Sequence, residues 1–562
     1  MKKEQKTISK YDCAICVVLS IVTLFSMIIR IFYGWDQDQS YLILLSSLIA
    51  EGKVLLRDIL DLHQLGAVIP SLFCKIYLFL AGSYEGVAVF LRCISLLCQI
   101  FVSMITFHFL RKKYSFRIAF LSAVVVANML PRASLLLEYS TIAIWALLVV
   151  DLLLIEIYYK RNIWRNTILS AILYSLAVFS YPTMLITAPF YFGVMLFVFG
   201  WNHHGKIRYV ITFGLVCVLF AGIFIAYEFC NMDVTHFLTV LNAIGENGDH
   251  AVMFSAFTHI GTLLKSILRV TVTVLIAVFI TLLSRMLLKR SYNVFFVYIF
   301  VTTLAVIFLN LTGIRPSGPY GFLERYIGVV LLALISFKTV EDRAVKVLLL
   351  LLGATVFVGA IMGSNLGINE NAMYLEISVV AAIIIAGEYL EKNDSKSMAQ
   401  WIFLIFFVFG IVFLAGYFVR VNYTEPANFT DCTEKFENGP LKGIYVKKEY
   451  KDEIEKGSIA ISEITENGKT YALLGNEAIY NFYVNGEIIA PGFAPTTKYN
   501  KQWIIYYTDL EKELPDVLLL NTYWFPNVID FYETEFGEYV RDKYILENTE
   551  FDDIFLKLVR IE

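Results

Sequence analysis

Thirteen separate apolar runs, each long enough to cross about 30 Å of hydrocarbon, govern what this chain can fold into. They lie at 13–34, 88–110, 117–131, 140–159, 165–180, 183–200, 209–229, 263–285, 293–312, 322–338, 344–363, 372–390 and 401–421. Backbone inside lipid must satisfy its own hydrogen bonds, so these runs predict a bundle of α-helices. Of 562 residues only 17% are charged and 58% are hydrophobic, against about 25% charged in a soluble domain. A stack of three or four soluble domains is excluded. So is a nucleic-acid binder, because no basic footprint stands out.

The charges divide at about residue 422. Residues 1–422 hold 32 Lys/Arg against 23 Asp/Glu, and 423–562 hold 14 against 26. The chain therefore divides into a basic membrane part, 1–422, and an acidic soluble part, 423–562. The latter alternates strand-like runs (442–446, 471–474, 517–520) with helix-like ones (451–461, 528–532), a small α/β domain long enough for a core of its own. Removing it should impair activity more than folding. Seven alternate loops, beginning with the N-terminus, carry 21 of the 32 basic residues of the membrane part. By the positive-inside rule these loops are cytoplasmic and the acidic domain is extracytoplasmic. The bias holds only if a fourteenth apolar stretch, 65–82, stays in the outer face. This leaves a long first outer loop, 33–87, in which 39–51 reads as an interfacial amphipathic helix stopped by Gly52.

The spans are nearly free of charge, and ionisable residues gather at their outer ends. The first outer loop holds Asp36, Asp38, Arg57, Asp58, Asp61 and His63; Arg92, Arg132, Glu138, Arg315, Glu324 and Arg325 stand at other outer ends. Around one cavity they would suit a water-side acceptor and an anionic lipid headgroup, since Asp can take a hydroxyl proton and Arg forks phosphate. Each has a plainer role too. Asp38 can cap a helix, Arg57–Asp58 can be a surface ion pair, and Asp151, inside a span, can bond a neighbouring helix. Cys13 and Cys16 form a lone CxxC at a helix mouth, too little for a metal site.

The segment WDQDQSYLILLSSLIAEGKVLLRDILDLHQLGAVIPSLFCKIYLFLAG, followed by Phe90-Leu91-Arg92, resembles the first outer loop of polytopic GT-C fold glycosyltransferases. These include the protein O-mannosyltransferases and the lipid A aminoarabinose transferases. Glu324-Arg325-Tyr326 echoes an Arg-Tyr that opens a late span there. The resemblance implies an α-helical polytopic membrane protein with a small C-terminal α/β domain. It implies transfer of a sugar, with inversion, from a polyprenyl-phosphate-linked donor to an envelope glycan, lipid or protein acceptor at a bacterial plasma membrane. The general base falls on Asp38, with Asp36 as rival, because Gln39 replaces the usual Glu. Arg92, Arg315 and Arg325 become candidates for the donor phosphate, and Asp58, His63, Gln64, Glu138 and Glu324 for acceptor or sugar. Gln64-Leu65-Gly66 stands where the families have Pro-Pro-Leu. A divalent cation is left open. The rival from another class is a multi-pass transporter or lipid flippase, which would use mid-bilayer charge such as Asp151; a non-catalytic anchor for the acidic domain is the third.

Overall fold

The computed structural model describes residues 9–61, 63–129, 135–202, 207–245, 342–362, 372–392, 397–420, 426–475, 478–493 and 499–561, with isolated positions between 279 and 333. The expected spans at 263–285, 293–312 and 322–338 lie outside these residues. The membrane part contains α1 (Lys10–Phe32), α2 (Gln37–Ala50), α3 (Gln64–Ala81), α4 (Val87–Arg111), α5 (Phe116–Asn128), α6 (Tyr139–Tyr158), α7 (Ile163–Ser180), α8 (Ala188–Asn202), α9 (Ile207–Asn231) and α10 (Val234–Gly245). After the undescribed stretch come α11 (Arg343–Met362), α12 (Glu376–Lys392) and α13 (Ser397–Tyr417). Seven described helices are long and apolar enough to cross a membrane, and α3 is one of them. The protein is thus mostly helical, with a small sheet region at its C-terminal end.

Helix α6 sits at the centre of this bundle. It is apolar all round and nearly every side chain is buried, as expected of a helix packed on all sides. By contrast α1 and α9 leave broad apolar faces exposed, including Val17, Ile21 and Leu24 on α1. Ser9 starts α1 through a reciprocal capping box with Asp12.

Ion pairs gather one set of helix ends. Arg117 at the start of α5 bonds Asp12 at the start of α1, and Lys112 and Arg161 both reach Glu156 near the end of α6. Lys113 meets Asp342 just before α11. Lys346 meets Glu388 near the end of α12. The loops at 12, 112–117, 156–161 and 342–346, four of those selected by charge counting, therefore share a face. At the other face Gly34, just after α1, donates its amide to Tyr445 O at 2.8 Å.

Helix α3 keeps to that second face. Just before it, Leu60 N donates to Pro491 O and Gln502 Nε2 donates to Leu60 O, both at 2.7 Å. Just after it, Gly86 N and Ala88 N donate to Gly439 O and Pro440 O, and Lys442 pairs with Glu85. Eighteen residues extend roughly 27 Å, enough to span, yet both ends of α3 touch the same soluble domain.

Helix α2 corrects the sequence reading. It is no amphipathic interfacial helix: the run from Gln39 to Leu48 is buried on every side, against α3 and the turn Ala478–Tyr483. Its serines need no water, because Ser46 Oγ and Ser47 Oγ donate to the carbonyls of Leu42 and Ile43 at 2.7 and 2.8 Å.

After the short pairs β1 (Phe418–Arg420) with β2 (Pro426–Asn428) and β3 (Glu434–Lys435) with β4 (Tyr445–Val446), the C-terminal part forms one five-stranded sheet. Its strands are β5 (Thr470–Leu474), β6 (Glu487–Ile488), β7 (Val517–Asn521), β8 (Tyr544–Glu547) and β9 (Phe555–Arg560), ordered β6-β5-β7-β9-β8. β6, β5 and β7 run parallel, with Tyr471 opposite Val517; β9 is antiparallel to β7 and β8. Helices α14 (Lys448–Ile464), α15 (Lys501–Tyr507), α16 (Val528–Tyr532) and α17 (Glu535–Val540) complete it.

The near-continuous apolar strands are covered on both faces. Tyr471, Leu473, Val517 and Leu519 pack with α14 and with Ile43 and Leu45 of α2. Ala472, Leu474, Leu518 and Leu520 pack with Trp503 and Phe536, and that layer takes in Leu56, Leu60, Met232 and Val240 of the membrane part. Both core layers are shared across the boundary. This weighs against the expectation that removing 423–562 would impair activity more than folding, because the cut would uncover α2.

Candidate functional site

The turn between α1 and α2 is held by a buried guanidinium. Arg92 enters from the second turn of α4 and donates through Nη1 to Ile31 O (3.0 Å) and Tyr33 O (3.4 Å), and through Nη2 to Gly34 O (2.6 Å) and Gln39 Oε1 (2.5 Å). It lies 4.8 Å from the Trp35 ring centroid, and Trp35 Nε1 donates to Ser40 Oγ at 2.8 Å. Both terminal nitrogens of Arg92 are thus engaged by protein.

Within this fixed turn the two acids separate. Asp36 is fully buried and is the N-cap of α2, its Oδ1 accepting from Gln39 N at 3.1 Å. Asp38 sits in the first turn of the same helix and is half-buried. Capping, which the sequence allowed for Asp38, belongs to Asp36.

Beyond α2 the loop 51–63 is clamped to the C-terminal part. Asp58 pairs with Arg57 and with Lys512 at 2.9 and 2.8 Å and accepts from Val54 N. Burial works to raise its pKa, but the two cations and that amide hold the carboxyl well below the ordinary range. Its backbone carbonyl accepts from Tyr506 Oη at 3.1 Å. Gln64 Oε1 accepts from Leu56 N at 2.9 Å, which fixes Leu56 in a left-handed conformation, φ 59°. Asp58 and Gln64 therefore serve the architecture of this loop.

Asp61 and His63 face inward. Asp61 accepts from the Tyr41 hydroxyl and from His63 N. Burial pushes its pKa up to about 6 against the pull of the His63 and Phe493 amides. The His63 ring lies flat on Tyr139, centroids 4.2 Å apart, and Tyr41 meets it edge-on at 6.2 Å. The aromatic row continues through Tyr181 to Tyr374 at 4.9 and 6.4 Å. Glu138, just before α6, accepts from Ser140 Oγ at 2.6 Å.

The structure thus brings Tyr41, Asp61, His63, Glu138 and Tyr139 together beneath the C-terminal part, with Asp36, Asp38 and Arg92 at the start of α2, about one turn before Tyr41. Arg132, Arg315, Glu324 and Arg325 lie outside the described residues. Among the described residues no group of three or more His, Cys, Asp or Glu is placed to hold a metal ion.

Sequence reasoning passed over Tyr41, Tyr139 and Tyr181, which carry no charge. It also missed Glu376, a buried acid in the first turn of α12 beside Tyr374, whose oxygens have no hydrogen-bond partner among the described residues. Its position as an acid opening a span was the available signal. Asp151, the mid-span acid, is buried at α6 with the Tyr191 hydroxyl of α8 as neighbour.

Comparison with protein-family models gives no match, and neither does comparison with curated proteins. Among solved structures the chain is similar to the oligosaccharyltransferase of Archaeoglobus fulgidus. A crystal structure of that protein with zinc and sulfate matches at 13% identity and a TM-score of 0.49, over 97% of this chain and 73% of that one. The same organism's AglB, in complex with an inhibitory peptide and a dolichol-phosphate, matches at 12% identity and a TM-score of 0.47, over 97% and 75%.

Proposed function

We propose that this protein is a membrane-embedded glycosyltransferase that moves a sugar from a polyprenyl-phosphate-linked donor to an envelope glycan, lipid or protein acceptor. The reaction takes place on the face that carries the C-terminal domain. What supports the reading best is the division of labour at the start of α2: Asp36 is committed to the cap, and Asp38, one turn end away, is half-buried on a rigid turn.

In this reading Asp38 is the general base. Its carboxylate takes the proton of the acceptor hydroxyl as that oxygen attacks the anomeric carbon. The bond from that carbon to the donor phosphate oxygen breaks on the opposite side, and polyprenyl phosphate leaves with the electron pair. One displacement inverts the anomeric centre.

Arg315 and Arg325 are assigned to the donor phosphate, whose charge grows as the bond breaks. His63, Glu138 and Glu324 are assigned to acceptor or sugar hydroxyls. Arg92 acts as a positioning residue, keeping the acid-bearing turn in place. The setting is a bacterial plasma membrane, with the N-terminus cytoplasmic and residues 423–562 outside.

The test compares surface glycans and lipids by mass spectrometry in cells carrying no copy, the natural protein, Asp38→Asn or Asp36→Asn. Deletion and Asp38→Asn should lose the same sugar-bearing species, with Asp38→Asn protein present at normal level. Asp36→Asn should keep at least a tenth of the product, because the amide oxygen can still cap. Full product from Asp38→Asn removes the assigned base, and identical profiles with and without the protein remove the reaction.

A further inference from the structure

On the face opposite the C-terminal domain, between the starts of α1, α5 and α13, lies a cavity of about 290 Å³. Ile15, Cys16, Phe120, Leu121, Trp401 and Ile405 form its body, so Cys16 of the CxxC is a wall residue. Three helices leave a gap here that no side chain of theirs fills.

The cavity opens outward beside Tyr11 and Ile402, which are 71% and 44% exposed, and beyond it α1 turns Val17, Val18 and Ile21 away from the bundle. In a bilayer such a surface faces acyl chains. Two charged groups, the paired Arg117 and Asp12, stand at the mouth. Arg117 donates through Nε and Nη2 to Asp12 at 2.5 and 3.2 Å, and its guanidinium carbon lies 5.4 Å from the Trp401 ring centroid. Asp12 also accepts from Ser9 N and Oγ. The guanidinium is therefore held in one orientation, while its Nη1 has no hydrogen-bond partner among the described residues.

We infer that this cavity is a binding site for a glycerophospholipid of the leaflet on the basic face, with one acyl chain inside and the lipid phosphate on Nη1 of Arg117. The basic excess of this face selects an anionic lipid over an uncharged one, and beyond its pair with Asp12 the fixed guanidinium still presents Nη1, which suits a phosphate oxygen. Free phosphate would find the donor but not fill the apolar body. The bound lipid would join α1, α5 and α13, whose termini otherwise meet here across a gap.

The test is native mass spectrometry of the full-length protein in mild detergent, washed until loosely held lipid is gone. The natural protein should retain one phospholipid per chain. Ile405→Trp and Cys16→Phe, which fill the cavity from different helices, should each cut retention at least tenfold. Arg117→Gln, which can still bond Asp12, should cut it at least threefold, and millimolar inorganic phosphate should not displace the lipid. Thermal melting of each variant by circular dichroism establishes that it is folded. A natural protein without retained phospholipid, or folded filled-cavity variants that retain it equally, overturns the site. Retention unchanged in Arg117→Gln overturns the phosphate contact.

Discussion

Arginine at position 92 and aspartate at position 61 show why residue type alone did not settle the roles at this site. A guanidinium suits a phosphate or a ring of backbone carbonyls equally well, and only folding shows Arg92 turned toward Ile31, Tyr33 and Gly34. Asp61 stood in the sequence as one of several acids in the loop; its meeting with Tyr41 and the Phe493 amide depends on contacts some 20 and 430 residues away. That meeting has a measurable sign. With its pKa raised from 3.8 to about 6 in the folded protein, Asp61 binds its proton more tightly folded than unfolded. Stability should then fall as pH rises from about 4 to 6 and level off above. At neutral pH the difference is on the order of 3 kcal/mol. Asp61→Asn, whose amide oxygen still accepts from Tyr41, should flatten this slope. Melting temperature in detergent against pH, for both proteins, measures it; parallel slopes would rule out Asp61 as the source.

Among the elements, spans and strands were legible because burial imposes period and length on them. The apolar runs found α1, α4, α6, α7 and α9 closely, and the tail's runs anticipated β5, β7 and α16. What misled was α2, where serines marked out a polar face that the fold then buried by bonding them back to their own helix. The Gln64-Leu65-Gly66 departure has an element-level reason. Glycine lets α3 press against the start of α6, since a Cβ at Gly66 would lie 2.5 Å from Tyr139 Cβ and 2.9 Å from its Cα. Backbone cannot yield as a flexible side chain would. Gly66→Ala should therefore lower the melting temperature markedly and disturb the His63–Tyr139 stack. Gly82→Ala, in a left-handed cap (φ 72°) with open space around it, should cost only about 1 kcal/mol. Equal melting losses in the two variants would show that the α3–α6 contact is loose.

For the whole molecule, the question is which side each face meets, and charge and contact give the same division. Basic loops collect at one set of helix ends through Asp12–Arg117, Lys112–Glu156 and Lys113–Asp342, while the C-terminal sheet is built onto the other through α2, α3 and the loop between them. Because those core layers are shared, a chain ending at 422 should accumulate poorly and melt early, not merely lose activity; a truncated protein with the full-length melting temperature would show the two parts to be independent. The orientation itself can be read with thiol chemistry in intact cells, in a background whose eight native cysteines are replaced. A cysteine at Lys112 should resist a membrane-impermeant maleimide until the cells are opened. Arg161 remains to pair with Glu156 there, so the helix end stays intact. A cysteine at Tyr523, which is 79% exposed on the C-terminal domain, should react at once. Lys112 and Tyr523 both follow α3, so a third cysteine at Glu51, exposed just before α3, completes the test: it should react from outside as the one at Tyr523 does, and labels at 51 and 112 that behave alike would show a crossing at α3. The three sites together therefore test the non-crossing helix, and the label at 51 reads the side on which Asp38 lies.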